Sequence, residues 1–141
     1  NNFSLNPEHD NCIQPGKKTY HTIIPGFMTK NDKPIGPFGV MGGFMQPQGH
    51  VQVVMNTIDF NLNPQAALDA PRWQWTEGKN IKVEHSFPPD LAKLLKNKGH
   101  NIQVSLESSS YGRGQIIWKD HEKNVLVGGT EPRTDSSIAC W

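Results

Sequence analysis

The sequence predicts an α+β fold, in which strands and helices form separate layers. Several short segments alternate apolar and polar residues or are rich in β-branched and aromatic residues, as strands are. Two longer segments repeat apolar residues with the period of a helix. In chain order the predicted elements are strands, helices, a strand, a helix and again strands, and such separate runs favour α+β layers.

The first predicted elements are two antiparallel strands. Residues 19–24 and 27–29 are rich in β-branched and aromatic side chains, with a Pro-Gly pair between them. Residues 31–34, Asn-Asp-Lys-Pro, predict a turn, so the return strand runs from Ile35 to Met41. These strands lead the chain to a pair of glycines.

The two glycines, Gly42 and Gly43, precede a segment with helical periodicity. Pro47 suits the first turn of that helix, and its apolar face is predicted to be formed by Val51, Val54, Met55 and Ile58. Adjacent glycines allow a turn where a Cβ would clash, and they leave backbone N–H groups bare near a helix N-terminus. Such groups can form an oxyanion hole. A tight connection without chemistry is the alternative interpretation.

A second, shorter helix is predicted next. Asn63 suits its N-cap, the following proline its first position, and Pro71 ends it. The segment Arg72-Trp73-Gln74-Trp75 then places a guanidinium among aromatic rings. It either contacts substrate or anchors helix to sheet, and the second interpretation is favoured because aromatic residues dominate cores.

The clearest helix is predicted over residues 86–98. Prolines and Asp90 occupy its first turn, and Gly99 follows a cationic last turn. Its buried stripe is predicted to consist of Leu91, Leu94 and Leu95. Further strands are predicted over residues 81–84, 101–106, 115–118 and 124–128.

Composition and motif spacing give several functions no support. A formal net charge of +1 offers no strong field for nucleic acid, and no apolar run approaches the roughly 20 residues of a membrane span. The six histidines show no His-x-x-x-His or His-Glu-x-x-His spacing, so no metal site is expected. No Gly-x-Ser-x-Gly elbow and no phosphate-binding glycine loop occurs.

Two longer motifs carry a family resemblance. Residues 41–52 read Met-Gly-Gly-x-Met-Gln-Pro-Gln-Gly-His-Val-Gln, and residues 56–72 read Asn-x-x-Asp-Phe-x-x-Asn-Pro-Gln-x-Ala-x-Asp-Ala-Pro-Arg. Together they resemble the γ-glutamyltranspeptidase (glutathione hydrolase) family, and most closely its cephalosporin or glutaryl acylase-like branch. The resemblance extends from the Asn-Phe-Ser near residue 2 to Pro132-Arg133.

The resemblance implies an N-terminal-nucleophile hydrolase with a four-layer αββα sandwich. Residues 1–141 would be one domain, the C-terminal portion of the small subunit of a self-cleaving precursor, completed by the large subunit. The nucleophile would be an N-terminal threonine that this chain does not contain, since Asn1 carries no hydroxyl. No cofactor is implied.

The substrate would be a small γ-glutamyl amide such as glutathione, whose acyl group passes to water or an amine. The alternatives are a cephalosporin or glutaryl acylase, and a non-catalytic module that kept the fold.

The resemblance also implies site residues. Gly42 and Gly43 match the pair whose amides stabilise the oxyanion. Asn2 stands where the transpeptidases have an aspartate that binds the substrate's α-amino group, and His21 and Thr22 stand where two serines bind its α-carboxylate. These departures weaken recognition of a γ-glutamyl head group, because a neutral amide replaces a charge-assisted contact.

Two further departures concern the lid and the chain's end. Residues 1–18 are rich in turn residues and predict a loop, so a short lid or none is expected. An open site admits bulkier acyl groups. Near the end, Glu131 precedes Pro132-Arg133, where the family usually has aspartate.

Overall fold

The computed structural model describes residues 2–141 and contains seven strands and three helices among them. Asn1, which was excluded above as a nucleophile, lies outside the described residues. The strands are β1 (Gly26–Lys30), β2 (Lys33–Met41), β3 (Trp73–Glu77), β4 (Asn80–Glu84), β5 (Asn101–Ser105), β6 (Arg113–Asp120) and β7 (Val125–Thr130), and the helices are α1 (Gln46–Ile58), α2 (Pro64–Asp69) and α3 (Pro89–Asn97).

A four-stranded antiparallel sheet, in the order β1-β2-β6-β7, carries α1 and α2 on one face. The core between them is apolar and includes Val40, Val53, Leu68, Ile116 and Trp118. Gly49 allows the close packing of α1 on β2, because a Cβ at this position would lie 2.6 Å from Val40 Cγ1. Sheet and helices therefore form one α layer on one β layer.

The opposite face of this sheet is apolar and open. Phe27, Met41, Ile117 and Leu126 are 61%, 51%, 46% and 69% exposed on strands whose register places them on the side away from the buried core. Side chains alternate between the two faces of a strand, so this pattern gives the sheet two apolar faces. Such a sheet is built to be covered on both sides.

A smaller sheet, in the order β3-β4-β5, forms the rest of the fold. Strands β3 and β4 are antiparallel, whereas β4 and β5 are parallel and are connected through α3. Val83, Phe87 and Ala92 form its buried core, with Leu95 and Ile102 packed against them. It is a compact βαβ unit with one added strand.

Two glutamines of α1 join the small sheet to the rest of the fold. The Gln52 side-chain amide donates to Trp73 O (2.9 Å) and accepts from Trp73 N (3.1 Å). The Gln48 amide pairs in the same way with Trp75 O (3.0 Å) and Trp75 N (2.7 Å). Gln48 and Gln52 are one helical turn apart on α1. Trp73 and Trp75 are two residues apart on the edge strand β3, and their backbone N–H and C=O groups point away from β4. The two amides therefore act as a short substitute strand on the edge of β3.

Several sequence predictions are confirmed. The strand, Gly-Gly turn and helix order holds, with a short 3-10 turn at Gly43–Met45 before α1. Asn63 caps α2 by accepting a hydrogen bond from Ala66 N at 2.9 Å. Gly99, with φ of 90°, follows α3, where the N–H of His100 bonds back to Leu95 O at 3.1 Å.

The strand predicted over residues 19–24 is wrong. These residues have no regular secondary structure, and the first strand begins only at Gly26. A strand requires a neighbour for its hydrogen bonds, and no strand of residues 2–141 extends alongside this segment. Local composition favours an extended chain, but it cannot supply a partner.

The predicted helix faces also need correction. In α1 the residues against the sheet include Gly49, Gln52 and Val53, while Val51, Met55 and Ile58 are exposed. In α3 Leu95 packs against the core, but Leu91 and Leu94 are 44% and 57% exposed. Periodicity identifies an apolar stripe, but it does not say which neighbour lies against it.

We expect Gln52→Ala to destabilise the protein more than Gln48→Ala. Gln52 is 6% exposed, so its loss leaves Trp73 N and O without partners where water reaches poorly. A loss of about 1–3 kcal/mol is expected for such buried groups. Thermal unfolding of the assembled protein measures the difference, and equal melting temperatures for the two variants would show that β3 does not depend on this pairing.

Candidate active site

The Gly42–Gly43 turn lies between the end of β2 at Met41 and the start of α1 at Gln46. Its conformation is fixed by the Met45 N–H, which donates to Gly42 O at 3.0 Å, and Gly43 has φ of 58°. The N–H groups of Gly42 and Gly43 make no hydrogen bond with any residue in 2–141. They are therefore free donors at the N-terminal end of a helical segment, where positive partial charge collects.

The two glycines have different surroundings. A Cβ on Gly42 would lie 2.8 Å from the Cα of Gly112, so two glycine backbones touch here. A Cβ on Gly43 would meet nothing within 4 Å. Gly42 is thus the packed side of the turn, and Gly43 is its open side, where a ligand has room.

Arg72 holds the loop against which Gly42 packs. Its guanidinium donates from one nitrogen to Tyr111 O (3.0 Å) and to Gly112 O (2.9 Å). The side chain is 2% exposed, so Arg72 is the packing anchor favoured by the sequence and does not face a substrate. The position of Gly112, and through it of Gly42, depends on this buried cation.

Glu131 and Arg133 complete a buried network of four charges. Glu131 Oε2 accepts from Arg72 at 2.9 Å and from Gly114 N, while its Oε1 accepts from Arg133 at 2.8 Å. Arg133 in turn binds both oxygens of Glu84 at 2.6 Å. Two cations and two carboxylates alternate, so each buried charge has an opposite partner, which is the condition under which burial is tolerated.

The network shifts the pKa values of three of its members. The shifts of Glu131 and Arg133 favour their charged forms, whereas the shift of Arg72 disfavours its charged form. Burial acts to raise the pKa of Glu131, but hydrogen bonds from Arg133 and Gly114 and the charge of Arg72 outweigh it and hold this pKa below its ordinary value. Burial and the like charge of Arg133 lower the pKa of Arg72. For Arg133, burial is outweighed by hydrogen bonds to Glu84 and Glu131, and its pKa is raised.

A largely apolar cavity of about 380 Å³ lies beside the turn. One wall is formed by the chain segment 23–26 and another by β2 and β6, including Met41, Ile117 and Arg113. Gln46 lines it as well, and the Gln46 amide donates to Thr22 O at 2.8 Å. Its lining takes residues from both faces of the sheet, with Val40 and Ile116 from the core side and Ile117 from the outward side.

The structure brings only some of the predicted site residues together. Gly42 and Gly43 form one turn. The carbonyl oxygen of Thr22 accepts a hydrogen bond from Gln46, the first residue of the helix that follows this turn. His21 is exposed and Asn2 is half-buried, and neither makes a hydrogen bond to the turn among the residues described. Glu84 was missed as part of the site's support, although a charged residue at the buried end of an alternating strand is a signal for it.

Metal ligands and membrane-spanning helices are not evident in the part of the chain that the structure describes. No three His, Cys, Asp or Glu side chains in residues 2–141 are grouped so that they could hold a metal ion. No helix among these residues is long and apolar enough to cross a bilayer. Cys12 and Cys140 are not bonded to each other.

Comparisons with known proteins agree with this architecture. The family model described as Gamma-glutamyltranspeptidase matches residues 1–141. The crystal structure of a cephalosporin acylase from Bacillus halodurans is 71% identical and superposes with a TM-score of 0.88, covering 99% of this chain and 26% of that one. The glutathione hydrolase-like YwrD proenzyme of Bacillus subtilis (strain 168) is 32% identical over 140 residues, which are 96% of this chain and 27% of that protein.

A more distant structure shares the fold alone. The γ-glutamyltranspeptidase from Pseudomonas nitroreducens is 22% identical, with a TM-score of 0.77 over 93% of this chain and 68% of that chain. The predicted α+β fold of N-terminal-nucleophile hydrolases is therefore confirmed. The chain spans about a quarter of the length of the acylase and the YwrD proenzyme.

We expect Glu131→Gln to destabilise the protein at neutral pH. The folded-state pKa of Glu131 is depressed, so its contribution is present above the unfolded value of about 4.3 and is lost as the pH falls through the folded value. Breaking a buried pair typically costs about 3–5 kcal/mol. Thermal unfolding from pH 7 to pH 3 should show the gap between variant and wild type closing below about pH 4.

Glu122→Gln is the matched control, because Glu122 is exposed in the turn between β6 and β7. It should melt like the wild type at every pH. A Glu131→Gln deficit that stays constant down to pH 3 would contradict the assignment of this carboxylate as an ionised partner of Arg72 and Arg133.

Proposed function

The chain belongs to the gamma-glutamyltranspeptidase family, and on this premise we propose that it is the C-terminal portion of the small subunit of an amide hydrolase. The observation that carries the proposal is the Gly42–Gly43 turn, whose two N–H groups have no partner among residues 2–141 and whose open side meets none of their atoms within 4 Å of a Cβ on Gly43. Donors held in this way stabilise the charge that develops on a carbonyl oxygen under attack.

The proposed reaction proceeds through an acyl-enzyme. A threonine at the start of the small subunit, upstream of this chain, attacks the amide carbonyl with its hydroxyl, and its own α-amine takes the proton. The carbonyl oxygen becomes an oxyanion that accepts hydrogen bonds from Gly42 N and Gly43 N. The amine leaves with a proton, and water then releases the acyl group as a carboxylic acid. If no threonine precedes this chain in the precursor, the non-catalytic alternative applies.

For the substrate we favour an acyl amide without an α-ammonium over a γ-glutamyl amide. Asn2 stands where the family has the aspartate that binds the ammonium, and an amide oxygen offers no charge to pair with it. The high identity to a cephalosporin acylase supports the same choice. The family's γ-glutamyl amides, including glutathione, remain the second candidate class, with His21 and Thr22 at the carboxylate end.

The partner that we propose is the rest of the same precursor. The outward face of the four-stranded sheet exposes Phe27, Met41, Ile117 and Leu126, and an apolar face of this kind needs a cover. A second sheet from the large subunit and the upstream part of the small subunit would stack on it and complete the αββα sandwich. The exposed stripe of α1 is a further surface for the same partner.

We expect Gly43→Ala to lower turnover on the order of 10²-fold, the scale for losing an oxyanion donor or its geometry. The methyl group meets no atom within 4 Å, so it would occupy the open side of the turn without disturbing packing. Gly78→Ala is the control, because Gly78 also has positive φ (49°) and open surroundings, but lies in the β3–β4 turn. Both should melt alike, and only Gly43→Ala should lose kcat.

Gly42→Ala should instead fail to fold or assemble, because its Cβ would meet the backbone of Gly112 at 2.8 Å. Unchanged turnover for Gly43→Ala in the assembled enzyme would remove this turn from the reaction. Initial rates and melting curves of the purified heterodimer provide both readouts.

We expect Asn2→Asp to shift donor preference toward γ-glutamyl substrates. A charged hydrogen bond to the ammonium is worth about 1–3 kcal/mol, or roughly 5- to 150-fold in affinity. The measurement is the ratio of kcat/KM for γ-glutamyl and glutaryl anilides in the complete heterodimer, before and after the change. An unaltered ratio would mean that residue 2 does not face the acyl head group.

A further inference from the structure

Gln46 joins three parts of the molecule through three different groups. Its backbone N–H donates to Gly43 O in the Gly42–Gly43 turn, and its side-chain Nε2 donates to Thr22 O at 2.8 Å. Its backbone carbonyl accepts from His50 Nδ1 at 2.7 Å, one helical turn further along α1. The residue is 8% exposed, so most of its surface lies away from solvent. One residue therefore connects the turn, the helix and a segment 24 positions earlier in the chain.

The segment that Gln46 reaches, residues 20–26, has little support of its own. Residues 20–25 have no regular secondary structure and make no backbone–backbone hydrogen bond with any residue in 2–141. Ring contacts hold the two ends. Tyr20 lies edge-on to Phe3, with 6.4 Å between ring centroids, and Gly26 packs on Phe38, whose ring would lie 2.6 Å from a Cβ at this position. Between these ends, the hydrogen bond that reaches the main chain comes from Gln46.

The same segment forms one wall of the cavity beside the turn. Ile23, Ile24 and Pro25 line this wall, and Gln46 lines the cavity as well. The position of the wall relative to the turn is set by contacts within this chain. Because Gln46 bonds Gly43 with its backbone and Thr22 with its side chain, the spacing between wall and turn corresponds to the length of one glutamine side chain.

We propose that Gln46 is a positioning residue that holds the segment 20–26 at a fixed distance from the Gly42–Gly43 turn, and so determines how tightly the acyl chain binds without taking part in bond breaking. The proposal rests on the proposed function, in which the turn holds the reacting carbonyl. The backbone bond from Gln46 to Gly43 survives any change of the side chain. A substitution at residue 46 should therefore move the wall and leave the oxyanion donors in place.

The test uses the complete enzyme made from its full precursor and two anilides of different acyl length. Acetyl p-nitroanilide ends one carbon beyond the reacting carbonyl, whereas glutaryl p-nitroanilide extends further along the site. Gln46→Met keeps the length of the side chain and removes the donor. It should raise KM for the glutaryl substrate roughly 2- to 12-fold, the value of one neutral hydrogen bond, and leave kcat unchanged. Both constants for the acetyl substrate should stay at their wild-type values.

Gln48→Met is the matched control, because Gln48 lies on the same helix but its amide bonds Trp75 at the edge of β3, and it does not line the cavity. It should lower the melting temperature and leave KM for both substrates unchanged. Gln46→Glu is the isosteric second variant, since an ionised carboxylate cannot donate to Thr22 O, and it should raise KM as Gln46→Met does. An unchanged KM for the glutaryl substrate, or an equal fall in kcat on both substrates, would overturn the proposal.

A structural measurement distinguishes this proposal from the proposed function. Crystal structures of the assembled wild type, Gln46→Met and Gln48→Met need no turnover. If the wild type cleaves neither anilide, the proposed reaction fails, yet a shift of Thr22 relative to Gly43 by about 1 Å or more in Gln46→Met alone still supports the positioning role. An unchanged spacing in Gln46→Met would mean that other parts of the assembled protein hold the segment, and it overturns the proposal.

Discussion

The buried pair of Arg72 and Glu131 is the interaction on which the rest of the structure depends. Both side chains lie away from solvent, with 2.9 Å between guanidinium and carboxylate. A buried charge without a partner is strongly unfavourable, so every segment that supplies a partner is held in place. Through Tyr111, Gly112 and Gly114, the pair fixes the start of β6, and through Arg133 and Glu84 it fixes the end of β4. The four-stranded sheet and the small sheet are thus joined at one cluster of charges.

The candidate active site is linked to this cluster through Gly112. Gly112, held by Arg72, packs on Gly42, and this leaves the neighbouring Gly43 facing open space. A rigid support on one side and free donors on the other are what preorganised stabilisation of an oxyanion requires. The buried network holds the turn from its packed side through Gly112, and in the proposed reaction it would keep the two donors in a fixed position.

The β3 edge of the small sheet and the outward face of the larger sheet differ in whether this chain covers them. The small sheet protects its β3 edge with the amides of Gln48 and Gln52, so that edge is closed within the chain. The outward face of the larger sheet has no such closure, and Phe27 and Leu126 remain largely exposed there. One layer of helix and one layer of sheet are complete, and Met41 and Ile117 of the outward face also line the cavity beside the turn. This is consistent with a chain that spans about a quarter of its acylase relative.

The sequence by itself determined the elements whose causes are local. The Gly-Gly turn, the Asn63 cap, the glycine after α3 and the α+β order follow from steric freedom, capping and periodicity within a few residues. Its motifs also placed Gly42 and Gly43 at the candidate site. Only the tertiary structure decided which faces are buried, because the apolar stripe of α1 points away from the sheet while Gln52 points into a contact. It also decided that residues 19–24 form no strand, and that Glu84 and Arg72 join the buried charge network behind the Gly42–Gly43 turn. Burial, pairing and charge contacts depend on neighbours distant in sequence, and no local pattern specifies them.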